Sequence, residues 1–210
     1  MKFRNTYDNL EEGRDFYTIW MKLPEEAVDF IHEFLQPIKD DCVWTSTFSK
    51  NKPRNTPHIT LRYLGYKDEL NEKNIEKDID KFKEQISKYI NFKLCLGSIY
   101  LFTSSIGFDD GRKELTEARI SWWVENYNEV GYIHQSLLKV EGYDFFTNLE
   151  WHGYRPHISL GELDVTDKNK IIRINNYLDI KENLYKEFII KDFEINLINR
   201  TIPLFSENEI

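Results

Sequence analysis

The chain has 210 residues, of which 40% are hydrophobic and 15% aromatic, so it can bury the core of one large domain or of two fused half-domains. No segment approaches the roughly 20 consecutive apolar residues of a membrane span, and residues 1–5 are not followed by an apolar signal core. The net charge of −8 argues against binding long nucleic acid through a general basic surface, so any nucleotide must be held locally. We expect a cytoplasmic protein, in its own cell or a host's, with no membrane partner; the sequence leaves its oligomeric state open.

The first half of the chain predicts strands that alternate with helices. Apolar residues recur at helical spacing after Pro24, which predicts the first helix. A charged second helix is predicted at about 69–89, with an apolar stripe facing inward. Strands are predicted at 16–21, near 43–44, at 58–64 and at 91–102.

The second half repeats this plan. Strands are predicted at 118–124, around 157 and at 187–199, and helices at about 127–140 and 167–178. Residues 103–117 read as a turn or mobile loop between the halves. The alternation indicates a layered α/β or α+β protein, which we treat as one bilobal domain over 1–210 with lobes at about 14–100 and 101–205.

Two short segments of the chain are nearly the same. Residues 57–61 read PHITL and residues 156–160 read PHISL. In an extended strand, residues i and i+2 share a face, so His58 is expected beside Thr60, and His157 beside Ser159. Two imidazoles, each with a hydroxyl neighbour, indicate one symmetric site.

The four side chains of the repeat suit phosphodiester chemistry. An imidazole with a pKa near 6.5 accepts or donates a proton near neutral pH, so His58 and His157 can divide the work of base and acid. The hydroxyls of Thr60 and Ser159 can donate hydrogen bonds to phosphate oxygens. We therefore predict these four as catalytic residues, with no metal and no cofactor, and leave open which histidine is the acid.

Cations and aromatic residues flank both segments. Residues 49–66 contain four cations and no acidic residue, which favours an anion at this edge. Aromatic rings interleaved with cations are what stacking on a nucleobase needs. The candidate substrate-binding residues are Arg62, Arg155, Tyr154, Trp151 and His152. For the two arginines a solvated charge is an equal alternative, and for the other three ordinary packing remains open.

Residues 58–65 (HITLRYLG) and 155–161 (RPHISLG) resemble the paired motifs of the two-histidine (2H) phosphoesterase superfamily. The first segment most resembles the LigT-like branch, the RNA 2′,3′-cyclic phosphodiesterases also called 2′-5′ RNA ligases. The resemblance implies an α+β fold of two pseudo-symmetric lobes, in which two antiparallel sheets line a central cleft and the helices lie outside. It also implies metal-independent hydrolysis by the two histidines. Ser159 stands where the family has threonine and keeps the hydroxyl.

Other branches of the superfamily resemble the chain about equally. They include phage proteins that degrade cyclic oligonucleotide immune signals, and animal and viral enzymes that act on 2′,5′-linked oligoadenylate. We favour a small cyclic or 2′,5′-linked nucleotide as substrate because the chain is acidic. The alternatives are a phosphodiesterase acting on RNA 2′,3′-cyclic ends and a protein that sequesters a nucleotide without cleaving it.

Overall fold

A computed structural model describes residues 15–41, 43–44, 57–107, 113–143, 154–180, 184–197 and 200–205. The strands are β1 (Phe16–Lys22), β2 (Val43–Trp44), β3 (His58–Tyr66), β4 (Phe92–Gly107), β5 (Lys113–Val124), β6 (His157–Glu162), β7 (Lys186–Ile190), β8 (Phe193–Asn196) and β9 (Thr201–Pro203). The helices are α1 (Glu25–Leu35), α2 (Glu72–Lys77), α3 (Ile79–Ile86), α4 (Tyr127–Leu137) and α5 (Lys168–Ile180). Short 3-10 turns follow α1 and α3.

The described strands form two sheets in which every pairing is antiparallel. The first sheet has the order β3-β1-β8-β9, and the second has the order β2-β6-β5-β4-β7. This architecture confirms the α+β fold with two antiparallel sheets. Each sheet takes strands from both halves of the chain, since β2 joins the second sheet while β8 and β9 return to the first. Strand β4 runs across residue 100, where the sequence places the boundary between the lobes.

Helices of each half also pack against elements of the other half. Helix α1 turns Ala27, Ile31 and Leu35 inward at helical spacing, and its Phe30 ring lies 5.3 Å from the ring of Trp122 in the second sheet. Helix α4, from the second half, packs against β3 of the first sheet and against α3. The two halves therefore hold each other in place. Among the described helices, none has the length and apolar character needed to cross a membrane.

Three elements differ from the sequence-based expectation. The charged helix ends and restarts at Asp78, whose backbone leaves the helical region and whose carboxylate accepts from the Tyr143 hydroxyl at 3.0 Å. Residues 103–107 and 113–117 are paired strand and not loop, since β4 and β5 continue as an antiparallel ladder to Gly107 and Lys113. Their sequences, TSSIG and KELTE, lack the regular apolar alternation that predicts a strand. The expected strand at 187–199 is two strands, β7 and β8, which belong to different sheets.

Both strands that carry the repeated segment have a bulge at the same place. Trp20 of β1 is paired with Thr60, and Ile19 with Arg62, so Leu61 is the extra residue of β3. Ser121 of β5 is paired with Ser159, and Ile120 with Gly161, so Leu160 is the extra residue of β6. A bulge inserts one residue and reverses the alternation of faces beyond it.

The bulge in β3 corrects the expected orientation of Arg62. Regular alternation predicts Arg62 on the face of His58 and Thr60, but the inserted Leu61 turns Arg62 into the interior, where only 1% of its surface is exposed. Its guanidinium donates hydrogen bonds to the carbonyl oxygens of Leu137, Val140 (3.1 Å) and Tyr143 (3.0 Å). Arg62 therefore binds the end of α4 and the turn after it, and is not placed to contact a substrate.

Replacing Arg62 by Met should reduce stability far more than it changes catalysis. The substitution removes the hydrogen bonds that a buried guanidinium donates to three carbonyl oxygens, which should cost on the order of 3 kcal/mol or more in free energy of unfolding. Arg62→Lys should cost less, because an ammonium keeps the charge but lacks the planar fork that reaches several acceptors. Urea unfolding monitored by circular dichroism measures both effects.

Arg173→Met is the matched control for this prediction. Arg173 pairs with Asp41 on the surface and its side chain is 61% exposed, so its loss should cost less than about 1 kcal/mol. A weakened affinity for nucleotide in Arg62→Met, with the urea midpoint unchanged, would instead return Arg62 to the substrate site.

Candidate active site

The two strands with the repeated segment lie next to each other, although they belong to different sheets. Strand β3 is an edge strand of the first sheet and contacts β6 of the second. His58 and Thr60 are half-buried on one face of β3, and His157 and Ser159 are half-buried on one face of β6. The residues between them are fully buried in the core. The fold therefore presents all four predicted catalytic side chains on accessible faces where the sheets meet.

A backbone hydrogen bond orients the His157 ring. Its Nδ1 atom lies 2.9 Å from the carbonyl oxygen of Arg155. Because a carbonyl oxygen only accepts, Nδ1 carries the hydrogen, and the neutral ring keeps its lone pair on Nε2.

A stacked indole orients the His58 ring. The rings of Trp20 and His58 are nearly parallel, at 16°, with centroids 3.8 Å apart. Trp20 is 5% exposed and is the cross-strand partner of Thr60 on β1. The sequence favours a core role for this aromatic strand over a base pocket; the structure buries Trp20 and also places its ring against the predicted catalytic imidazole.

One charged pair lies beside His58, and another lies at the far end of β6 from His157. Lys22, the cross-strand partner of His58, lies 3.2 Å from the carboxylate of Glu194. On the second sheet, Arg119 lies 3.4 Å from the carboxylate of Glu162. Lys22 and Arg119 are each balanced by a carboxylate.

Tyr154, a predicted base-stacking residue, joins the two halves of the protein. Its hydroxyl donates to the carbonyl oxygen of Thr60 at 2.8 Å, and its ring stacks on His134 at 4.1 Å. One face of this ring is therefore occupied by His134. The structure gives Tyr154 a bridging position beside the motif.

His134 is the main residue at this site that sequence reasoning undervalues. It is 4% exposed, and its Nδ1 donates to the carbonyl oxygen of Leu61 at 2.5 Å. The carbonyl oxygens of Thr60 and Leu61 thus both accept hydrogen bonds from side chains of the second half. In a regular strand consecutive carbonyls point to opposite edges, and the bulge lets these two point the same way. The available signal was helical spacing, which places His134 on the buried face of α4 with Val130 and Leu137.

Of the remaining predicted binding residues, the structure describes only Arg155. Arg155 is exposed just before β6, close enough for its charge to act on the phenol of Tyr100. Trp151 and His152 lie outside the described residues, as do the cations Lys50, Lys52 and Arg54. Within the described part of the chain, no three His, Cys, Asp or Glu side chains cluster as metal ligands would.

Comparison with known proteins rests on structure. No family model and no curated protein sequence matches the chain. LigT from E. coli complexed with NADP+ aligns with a TM-score of 0.51 at 13% identity, over 90% of this chain and 94% of that chain. LigT complexed with ATP gives 0.50 at 14% identity, over 91% and 96%. The chain has the LigT-like fold.

The LigT-like fold confirms, at the level of architecture, the resemblance carried by the two motifs. Usb1 from Kluyveromyces marxianus also aligns, with a TM-score of 0.48 at 8% identity over 91% of this chain and 98% of that chain. At these identities the shared property is the fold, and the chemistry must be argued from the residues of this chain.

The stability of the protein should depend on pH through His134. Burial lowers the pKa of this imidazole below its usual value and so does the nearby Arg62 charge, while the Leu61 carbonyl raises it. As pH falls, the unfolded chain therefore takes up this proton first. The contribution of neutral His134 is complete above about pH 6.5 and is lost as pH falls toward the lower pKa of the folded state.

His134→Asn tests this dependence, because the amide keeps a donor for Leu61 but does not titrate between pH 7 and 5. Urea unfolding at several pH values should show a smaller loss of stability for the variant than for the wild type across this range. Equal losses in the two proteins would show that His134 keeps an ordinary pKa.

Proposed function

We propose that this protein is a phosphodiesterase that cleaves a ribonucleotide phosphodiester with His58 and His157 as acid and base. The observation that carries the proposal is the equivalence of the two motif strands. Each places a histidine and a hydroxyl on an accessible face, each bulges at the following leucine, and the two strands lie side by side. The LigT-like fold supports it.

The proposed reaction is one in-line displacement at phosphorus. One histidine takes the proton from the attacking oxygen, a ribose 2′-hydroxyl or a water, as the new phosphorus–oxygen bond forms. The bond to the leaving ribose oxygen breaks, and the other histidine gives that oxygen its proton. Thr60 and Ser159 donate hydrogen bonds to the non-bridging oxygens as negative charge develops.

The surroundings of the rings suggest which histidine does which. The bond from Nδ1 of His157 to the Arg155 carbonyl leaves Nε2 ready to accept, and the same bond stabilises the imidazolium that then forms. The indole face against His58 attracts a cation, which suits a ring that starts protonated. We therefore assign His157 as base and His58 as acid.

The substrate that we propose is a small nucleotide, such as a cyclic or 2′,5′-linked oligonucleotide signal. The acidity of the chain disfavours long RNA held by a general field, and LigT from E. coli has been crystallised with the small nucleotides NADP+ and ATP. A role in evading an immune response would follow for a cyclic signal. The second candidate is an RNA 2′,3′-cyclic phosphate end, favoured by the likeness of residues 58–65 to the LigT-like branch.

Removing either histidine should lower kcat by roughly 10²-fold or more, because general acid or base catalysis typically supplies 10²–10⁴-fold. The measurement is turnover of a nucleotide panel in EDTA by wild type, His58→Ala and His157→Ala. The panel holds 2′,3′-cyclic mononucleotides, RNA with a cyclic phosphate end, 2′,5′-oligoadenylate, and cyclic di- and trinucleotides. Thr60→Ala and Ser159→Ala should lose less.

His32→Ala is the matched control, since His32 lies in α1 outside the motif strands and its loss should leave turnover unchanged. Failure of the wild type to cleave any substrate, with a ligand recovered intact from the complex, would replace the enzyme by a nucleotide-sequestering protein. Activity that EDTA removes and a divalent metal restores would contradict the two-histidine mechanism.

A further inference from the structure

A row of aromatic rings crosses the second sheet beside the motif. The ring of Tyr100 on β4 meets the ring of Trp123 on β5, with centroids 6.3 Å apart at 69°. Trp123 in turn meets Tyr127, the first residue of α4, at 6.2 Å and 52°. We call Tyr100, Trp123 and Tyr127 the aromatic ladder.

Strand register places the aromatic ladder directly next to the predicted catalytic residues. Trp123 is the cross-strand partner of His157, and Ser121 is the partner of both Ser159 and Tyr100. Partners in an antiparallel pair share a face and have Cβ atoms about 4.5–5.5 Å apart. The ladder therefore begins beside His157 and extends along the same accessible face.

The rings of the aromatic ladder are available to solvent. Tyr127 is 47% exposed, and Tyr100 and Trp123 are each half-buried. Trp20, the tryptophan on the His58 side, is 5% exposed and stacks on that histidine. The two sides of the site thus differ. The His157 side has solvent-exposed aromatic surface, whereas Trp20 on the His58 side is buried and already stacked on a histidine.

A cation completes this surface. Burial raises the pKa of Tyr100, and the positive charge of Arg155 and a hydrogen bond with buried Ser121 act in the opposite direction. Arg155 is exposed and precedes β6 by two residues. Aromatic rings beside a cation match a nucleobase joined to a phosphate.

We propose that the aromatic ladder is the nucleobase subsite of this protein, and that it holds the base of the nucleoside whose phosphate lies against His157 and Ser159. The position of the phosphate rests on the proposed function; the affinity for a base rests on the ladder alone. The ligand class is a nucleotide with a base on the His157 side. Sugar phosphates without a base bind weakly.

The test is the contribution of the base to binding, measured by titration calorimetry without turnover. AMP and ribose 5-phosphate share the sugar and the phosphate, so the ratio of their Kd values isolates the base. Stacking on aromatic side chains contributes about 1–3 kcal/mol per base, so wild type should bind AMP roughly 5- to 150-fold more tightly. In Trp123→Leu the ratio should fall toward one while the Kd for ribose 5-phosphate stays the same.

Two further variants test whether an aromatic ring is what binds the base. Trp123→Phe keeps a ring and should restore most of the ratio, and Tyr127→Leu removes an exposed ring at the outer end of the ladder and should lower it by a smaller factor. Tyr132→Leu is the matched control, since Tyr132 is a 60% exposed ring elsewhere on α4. Thermal unfolding establishes that each variant is folded.

The outcomes separate this inference from the proposed function. A ratio near one in wild type, or a ratio that Trp123→Leu leaves intact, overturns the base subsite even if the nucleotide panel is cleaved. A ratio that collapses in Trp123→Leu and survives in Tyr132→Leu supports the subsite even if no member of the panel is cleaved.

Discussion

The bulge that follows each hydroxyl residue is the constraint on which the arrangement of this protein depends. In β3 the extra Leu61 turns Arg62 from the accessible face into the interior, where it binds the end of α4. The same bulge lets two consecutive carbonyls, of Thr60 and Leu61, accept bonds from Tyr154 and His134. These bonds fix an edge strand to elements of the other half of the chain, and the bond from Tyr154 uses the carbonyl of Thr60 and not its hydroxyl.

The two halves share this backbone plan but support their histidines differently. His157 is oriented by a carbonyl that accepts from Nδ1, whereas His58 is oriented by the face of a buried indole. Acid and base work needs one ring that starts protonated and one that does not, and the unequal surroundings of the two rings favour one assignment of these roles over the other. The open aromatic surface beside His157 continues this asymmetry into ligand binding.

The sequence predicts the motif strands and the side chains that share their faces up to the hydroxyl, because a period of two and a repeated segment are local signals. The alternation of strands and helices leaves α/β and α+β open, and the two antiparallel sheets are expected only from the resemblance of the motifs to the two-histidine phosphoesterases. It does not predict the fate of Arg62, since a bulge depends on the register with β1 and is invisible in one strand alone. The exchange of β2, β8 and β9 between sheets is likewise a long-range choice. Tyr154 looks like a ligand-stacking residue in the sequence. Its stacking partner in the fold, His134, lies on a separate helix, and nothing in the residues around Tyr154 indicates that contact.

The proposed reaction requires one phosphate to bind between the two motif strands, and a crystal structure of the protein with a nucleoside vanadate tests this position. Vanadate mimics the five-coordinate phosphorus of the displacement. We expect the vanadate between the two imidazoles, with one apical oxygen about 2.6–3.2 Å from a ring nitrogen of His58 and the other at the same distance from Nε2 of His157. Thr60 and Ser159 should contact the equatorial oxygens. A vanadate bound elsewhere, or in contact with a single histidine, would contradict the two-histidine site.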